Sequence, residues 1–267
     1  MGAPDAWFRV GDVSGAVPIR DAATLILLRR LPAGPAVLMG QRGAGAAFMP
    51  GKFVFPGGAV DAADAAVALA TVLPQPCADR LGQDSARPAA AIAAAAIREL
   101  WEETGLVLGL PALWPDAPPD WHGFAATGHR PAAGALRFVF RAVTPQGRPR
   151  RFDARFLLAD AAEIKGDPDD FARASDELTH LQWVPLDQAR RFDLPFITRI
   201  VLAELQARGS DAGPPASVPF FRNDDEAHQI ARLGLGLGLG LGPGMGPGLG
   251  PGPGLGPGPG LGLGPGV

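Results

Sequence analysis

The sequence predicts an α/β sandwich, a sheet covered by helices, followed by a low-complexity tail. Three observations predict it. Short apolar runs of strand length recur at 23–29, 36–42, 136–141 and 151–159, bounded by charged or turn-forming residues. A long alanine-rich segment, 89–104, has the length and propensity of a helix. From Leu233 to Val267 every residue is Gly, Leu, Pro, Met or Val, a composition that cannot build a packed core.

Taken in order, Ala23–Arg29 reads as a buried strand and Ala36–Arg42 as its partner, with Pro32 to Pro35 forming the turn. Lys52–Phe55 leads into a turn at Gly57-Gly58. Asp61–Leu73 is expected to be helical, ended by Pro74 and Pro76. Pro88 suits the first turn of the next helix, where a missing N–H costs nothing. Along that helix Ile97, Leu100 and Thr104 line the side facing the core, and Gly105 can adopt the left-handed conformation that closes it. Residues 107–135 read as a long connection anchored by Trp114, Trp121 and Phe124. Leu136–Arg141, Arg151–Ala159 and Leu181–Pro185 read as strands. Asp187 is expected to cap a short helix through Arg191, and Pro195–Ala207 is the last helix.

The chemistry is concentrated in Arg98-Glu99-Leu100-Trp101-Glu102-Glu103-Thr104-Gly105-Leu106. Glu99, Glu102 and Glu103 stand at i, i+3 and i+4, so they are neighbours on one helix face. Three close carboxylates repel unless neutralised, and hard divalent cations such as Mg²⁺ or Mn²⁺ prefer such oxygens. A solvated acidic helix face is the alternative. Upstream, Phe53-Val54-Phe55-Pro56-Gly57-Gly58 supplies an apolar strand running into glycines, a way to bring backbone close to a phosphate.

These segments resemble the Nudix box, G-x5-E-x7-R-E-U-x-E-E-x-G-U with U aliphatic. Arg98, Glu99, Leu100, Glu102, Glu103, Gly105 and Leu106 match its second half, and Gly58 matches the opening glycine. Asp64 stands where the pattern has glutamate, and the 33 residues 65–97 stand where it has seven. An insertion inside the box, and the phrase Phe48-Met49-Pro50-Gly51-Lys52-Phe53-Val54-Phe55-Pro56-Gly57-Gly58, are similar to a branch resembling peroxisomal coenzyme A diphosphatases. The likeness continues through Phe152–Phe156 and Glu177-Leu178 to Trp183–Leu186, covering roughly residues 20–208.

The resemblance implies a Nudix-type α/β/α sandwich with a mixed sheet. It implies metal-dependent hydrolysis of a diphosphate bond in a nucleoside diphosphate linked to another moiety. Coenzyme A or an acyl-coenzyme A is the expected substrate, with ADP-ribose or NADH as the alternative and a non-catalytic nucleotide-binding domain as a second one. Glu99, Glu102 and Glu103 would hold the metal, and Arg98 would pair with acids of the box. Gly57, Gly58, Arg42 and Lys52 would line the substrate, with Arg137 and Arg155 as further cations by position. Asp64 either reaches Arg98 or caps a helix. Glu177 is either a further ligand or base, or an ordinary surface glutamate. One departure weighs against coenzyme A: the second arginine of that branch's signature is missing from Gly43–Met49.

The implied organisation is an N-terminal extension 1–19, a hydrolase domain 20–228 with an insertion near 65–86, and a disordered tail 229–267. Deleting residues 233–267 is expected to leave activity intact. The insertion is either a lid or a spacer. A net charge of −3 among 267 residues gives no electrostatic case for nucleic acid or anionic membrane. The single cysteine, Cys77, excludes an intramolecular disulfide. The four histidines have no metal-ligand spacing, and neither a Gly-x-Ser-x-Gly elbow nor a Walker-type lysine motif occurs. Met1–Trp7 shows no basic stretch leading into an apolar run, so a cytoplasmic location is expected. Nothing in the sequence fixes the oligomeric state.

Overall fold

Alternation along one strand places the sheet between two cores. In β1 (Ile19–Leu31), Ala23, Leu25 and Leu27 enter one apolar cluster, while Ile26 and Leu28 enter the other. That is the period of two that sends successive side chains to opposite faces. The computed structural model describes residues 17–46, 49–209, 211, 213–222 and 229–233. The chain divides into two units, 1–235 and 236–267. The second unit, with most of the expected tail, lies outside the described residues, as do residues 1–16 of the expected extension.

The main sheet runs β11-β10-β7-β8-β1-β2-β3, with β4 also on β1 and β9 also on β2. Its strands are β1, β2 (Gly34–Arg42), β3 (Phe53–Val54), β4 (Gly57–Ala59), β7 (Arg137–Val143), β8 (Arg151–Asp160), β9 (Leu178–Pro185), β10 (Val218–Arg222) and β11 (Gln229–Leu233). The β1/β8 and β10/β7 pairs are parallel and the rest antiparallel, so the sheet is mixed. One face is covered by α2 (Ala89–Thr104), the other by α4 (Phe196–Arg208). This is the expected α/β/α sandwich.

Residues 93–96, all alanine, are fully buried on α2, so the helix can approach β1 closely. The Pro88 carbonyl accepts from the Ala91 and Ile92 N–H groups, at 3.0 and 3.3 Å. Pro88 is therefore the residue just before the first turn rather than within it. Ile97, Leu100 and Thr104 are fully buried, as their spacing required. Gly105 closes the helix at φ 75°.

Several expectations are corrected. The Gly57-Gly58 turn is instead strand β4, paired as Gly57 with Thr24 and Gly58 with Ala23. A Cβ at Gly57 would stand 2.6 Å from the Ala23 carbonyl oxygen, so only glycine allows this approach. Asp61–Leu73 is not one helix. It forms a 3-10 turn, Ala62–Ala66, and then extends, because Val67 and Leu73 are drawn into the core and Thr71 bridges Ala132. Pro74 and Pro76 begin a helix rather than end one: α1 (Gln75–Gly82) follows Pro74 directly.

The connection 107–135 has structure of its own. It holds β5 (Gly109–Pro111), a 3-10 turn (Pro119–Trp121), α3 (His122–Ala125) and β6 (His129–Pro131), closed over Trp114, Trp121 and Phe124, whose rings meet tilted and edge-to-face. Asp187 caps nothing. The short 3-10 turn Ala189–Arg191 follows Gln188 and has no side-chain cap.

The insertion is built into the core. Cys77 and Leu81 of α1 are buried in the same cluster as α2. Arg141 donates to the Gln83 and Asp84 carbonyls, at 2.7 and 2.8 Å, and Arg155 to Ser85 Oγ, at 3.1 Å. These anchors pin the end of the insertion to the sheet. Val218–Arg222 adds a strand to β7, and the Phe220 ring lies beneath both Arg141 and Arg222, at 4.3 and 4.7 Å. Gln229–Leu233, assigned above to the tail, is β11. Among the described residues no helix is long and apolar enough to cross a membrane.

Phe220 is buried, so Phe220→Ala is expected to lower stability by about 3–5 kcal/mol, measured by urea denaturation. A chain ending at Leu233 is expected to unfold at the same urea concentration as the full chain. An unchanged midpoint for Phe220→Ala would mean that β10 does not contribute to the folded domain.

Candidate active site

The α2 carboxylates face the glycine strand β4 because α2 and β4 both pack on β1. A Cβ at Gly58 would lie 2.5 Å from the carboxylate atoms of Glu99. The Gly57 N–H donates to Glu103 Oε2 at 2.8 Å. The two glycines therefore let backbone reach two of the three acids, and a side chain at Gly58 would displace the Glu99 carboxylate from its present position.

Arg98 organises the rest. Its Nε and Nη2 donate to the two Asp64 carboxylate oxygens at 3.0 and 3.2 Å. Nη2 also donates to the Ala59 carbonyl at 3.0 Å. Nη1 donates to Glu99 Oε1 at 2.9 Å and to Glu102 Oε2 at 3.0 Å. Asp64 fills both roles left open for it, since its Oδ2 also accepts from the Asp61 N–H at 2.8 Å. The one-methylene deficit of aspartate is made up by the 3-10 turn, which carries Asp64 to a buried position against the guanidinium.

Burial sets the protonation of these groups. Removal from water pushes Glu103 up to about 8, with Glu99 and Glu177 adding to the rise and the Gly57 N–H and Arg42 opposing it. Burial likewise raises Glu99 to about 7, against the pull of Arg98. Glu102 is raised by burial too, again opposed by Arg98. For Arg98, burial pulls its pKa down, but the Asp64 hydrogen bond and the surrounding carboxylates outweigh it, and the guanidinium stays charged.

The donor set suits a hard cation. It consists of carboxylate oxygens, and Glu103 Oε1 is buried with no hydrogen-bond partner. A buried carboxylate with one oxygen unbonded is poorly solvated and gains from a cation. Among the described residues no three His, Cys, Asp or Glu groups are gathered around one ion position. Arg98 and the Gly57 N–H hold the acid oxygens instead.

The other expected site residues divide. Arg42 is half-buried, its Nε is buried without a partner, and its charge acts on Glu103. Lys52 is tied to Asp193 at 2.5 Å and so is engaged away from the acids. Glu177 is exposed and bonded to the site only through backbone, its carbonyl accepting from the Gly43 N–H at 3.4 Å, yet its charge raises both Glu99 and Glu103. Arg155 is buried between Asp21 and Asp153, and Arg137 donates to the Gly134 and Leu136 carbonyls. Arg155 is neutralised by its two carboxylates, whereas Arg137 meets only carbonyls.

Sequence reasoning missed three contacts. They are the Ala59 carbonyl on Arg98, the Ser175 N–H on the Glu102 carbonyl at 3.2 Å, and Arg173 against Gly105. The first lies one residue past the glycine pair. The other two join segments about 70 residues apart, and no local pattern signals them.

Fold and site together define a class: an α/β/α sandwich presenting a buried carboxylate helix to a glycine strand. Residues 83–205 match the family model described as NUDIX domain. A NUDIX hydrolase from Alicyclobacillus acidocaldarius is 28% identical with a TM-score of 0.55, over 72% of this chain and 92% of that one. A MutT NUDIX hydrolase from Burkholderia pseudomallei is 19% identical with a TM-score of 0.41, over 70% and 98%. The NUDIX domain of Shewanella oneidensis NrtR, complexed with ADP ribose, is 12% identical with a TM-score of 0.42, over 72% and 88%. The domain match and the Alicyclobacillus neighbour together support the Nudix superfamily and a Nudix hydrolase. Such enzymes cleave pyrophosphate bonds of nucleotide derivatives and generally use divalent metal ions.

In EDTA, the folded protein holds protons on Glu99 and Glu103 that the unfolded chain loses near 4.5. The folded state thus binds more protons between about pH 4.5 and 8, and these two groups make stability fall as pH rises through that window. The melting temperature in EDTA is expected to drop from pH 5 to pH 8 more steeply in the wild type than in Glu103→Gln. Parallel profiles would show that Glu103 ionises normally. Asp64→Asn, which removes the charge beside buried Arg98, is expected to destabilise the protein by about 3 kcal/mol, read by urea denaturation.

Proposed function

We propose that the chain hydrolyses the diphosphate link of a nucleoside diphosphate derivative, with Mg²⁺ or Mn²⁺ held by Glu99, Glu102 and Glu103. The observation that carries this reading is the buried, unpartnered Glu103 Oε1 on a helix end whose other acids are gathered by Arg98. A bound divalent ion supplies charge neutralisation at the phosphoryl oxygens and a lower pKa for water. This chain's own residues do the rest. Arg98 opposes the burial-driven rise of Glu99 and Glu102 and orients both. Gly57 and Gly58 keep the approach to the acids free of side chains. The Arg42 guanidinium, whose charge acts on Glu103, would meet a substrate phosphate.

Coenzyme A or an acyl-coenzyme A, giving 3′,5′-ADP and a phosphopantetheine, is the substrate suggested by the insertion in the box and the Phe48–Gly58 phrase. A second reading, ADP-ribose or NADH, is favoured by a specific observation. Lys52 and Arg155 are paired with carboxylates, which leaves Arg42 and Arg137 of the four named cations to meet a 3′-phosphate. The proposed setting is cytoplasmic, with a small-molecule substrate and no nucleic-acid or membrane partner. The proposed domain boundaries remain those of the sequence, apart from β11, which joins the hydrolase domain.

The deciding assay incubates the full chain with coenzyme A, dephospho-coenzyme A, ADP-ribose and NADH, in Mg²⁺, Mn²⁺ or EDTA, and identifies products by mass spectrometry. Metal-dependent release of 3′,5′-ADP, with dephospho-coenzyme A cleaved more slowly, is expected. AMP from ADP-ribose or NADH alone would assign the second reading. Glu102→Gln is expected to lose at least 100-fold in kcat while keeping its melting temperature. Wild-type turnover in that variant would remove Glu102 from the metal site.

A further inference from the structure

The segment between β8 and β9 does more than connect two strands. Residues 165–177 are fixed at five points along the last turn of α2 and its surroundings. The Lys165 N–H donates to the Val107 carbonyl at 2.9 Å. Asp169 pairs with Arg29 at 2.6 Å. Phe171 packs on the core cluster that contains α2. Arg173 lies over Gly105, so closely that a Cβ there would come within 2.7 Å of the Arg173 Cβ. The Ser175 N–H donates to the Glu102 carbonyl at 3.2 Å.

The Ser175 contact has a specific consequence. The last four carbonyls of a helix have no partner within it, and Glu102 is among them. Its carbonyl is satisfied by the strap, while its carboxylate is held by Arg98. Glu102 is also the most exposed of the three acids, with 39% of its side chain accessible against 12% for Glu99. Glu103 is anchored by burial and Gly57, and Glu99 lies beneath Gly58. Glu102 has neither support, so its orientation depends most on the helix turn that carries it. The strap then continues to Glu177, whose carbonyl accepts from the Gly43 N–H beside Arg42. One segment therefore joins the carboxylate helix to the arm bearing the candidate phosphate cation.

We propose that residues 165–177 form a positioning strap for Glu102, with the Ser175 N–H as its point of attachment and Phe171 as its anchor. The role assigned to Glu102 rests on the metal reading above. Ser175 acts through another residue and touches no substrate. Groups that orient a metal ligand without binding the ion commonly alter metal affinity roughly 10–100-fold when removed.

The test uses three variants of the full chain. Ser175→Pro deletes the N–H, Ser175→Ala keeps it, and Phe171→Ala loosens the strap while leaving every backbone donor in place. Mn²⁺ affinity is measured by isothermal titration, and amide hydrogen exchange of residues 100–108 is followed in EDTA. The expected result is roughly tenfold weaker Mn²⁺ binding and faster exchange in Ser175→Pro and Phe171→Ala, with Ser175→Ala like the wild type. Faster exchange with unchanged Mn²⁺ affinity would show a strap that only packs, and would overturn the proposal. Unchanged exchange would overturn it as well. Should Ser175→Pro fail to fold, Phe171→Ala decides on the same two readouts. Wild-type protein that binds no Mn²⁺ would defeat the metal reading itself, a result separable from a strap that fails in a metal-binding wild type.

Discussion

The site depends on one buried guanidinium. Arg98 joins the end of β4 through the Ala59 carbonyl, the 3-10 turn through Asp64, and two acids of its own helix. Without it, Glu99 and Glu102 would face each other at helix-neighbour distance with no counter-charge. The geometry also explains why arginine is required. A lysine ammonium is a single compact charge, whereas the planar guanidinium donates in several fixed directions at once. Five donations to five different acceptor atoms use that fork fully.

This arrangement is a poor device for stability. Burying acids raises their pKa, and Glu99 and Glu103 sit near 7 and 8 for that reason. Buried ionic networks often contribute little net stability, because desolvation offsets the attraction, although breaking one leaves an uncompensated charge. The unbonded Glu103 Oε1 adds a further cost. The large apolar clusters on both faces of the sheet carry the fold. The carboxylate end of α2 is the part where stability yields to chemistry, and the proposed ligand would remove the strain of like charge.

Much of this was legible because helix and strand periodicities are local. The spacing of Ile97, Leu100 and Thr104 identified the buried side of α2, and the Gly105 closure followed from residue type. The carboxylate triplet was visible for the same reason. Asp64 was only half legible: its pairing with Arg98 crosses 33 residues, and the sequence gives distance along the chain, not in space. The Gly57-Gly58 pair was read as a turn since glycines usually punctuate. It is a strand because it pairs with β1, which passes so close that only hydrogen fits at Gly57 beside the Ala23 carbonyl. The helix expected at 61–73 failed where alanine propensity met tertiary demand, with Val67, Leu73 and the Thr71–Ala132 bridge pulling the chain straight. Arg155 looked like a substrate cation by position, and only packing reveals Asp21 and Asp153 around it.

The insertion shows why so long an interruption is tolerated at so constrained a place. Lengthening a connection from seven residues to 33 raises its closure cost by only about 1.4 kcal/mol. Against that, full burial of a Val or Leu side chain stabilises by about 1.5–3 kcal/mol, and the insertion buries Val67, Leu73 and Leu81 in the core cluster shared with α2. Its two ends are also pinned. Arg98 holds Asp64 at the start, and Arg141 and Arg155 hold Gln83, Asp84 and Ser85 at the finish. The chain between those pins can vary in length and path without moving Asp64 relative to Arg98. What the site constrains is therefore the distance between two side chains across the fold, and the number of residues joining them is left free.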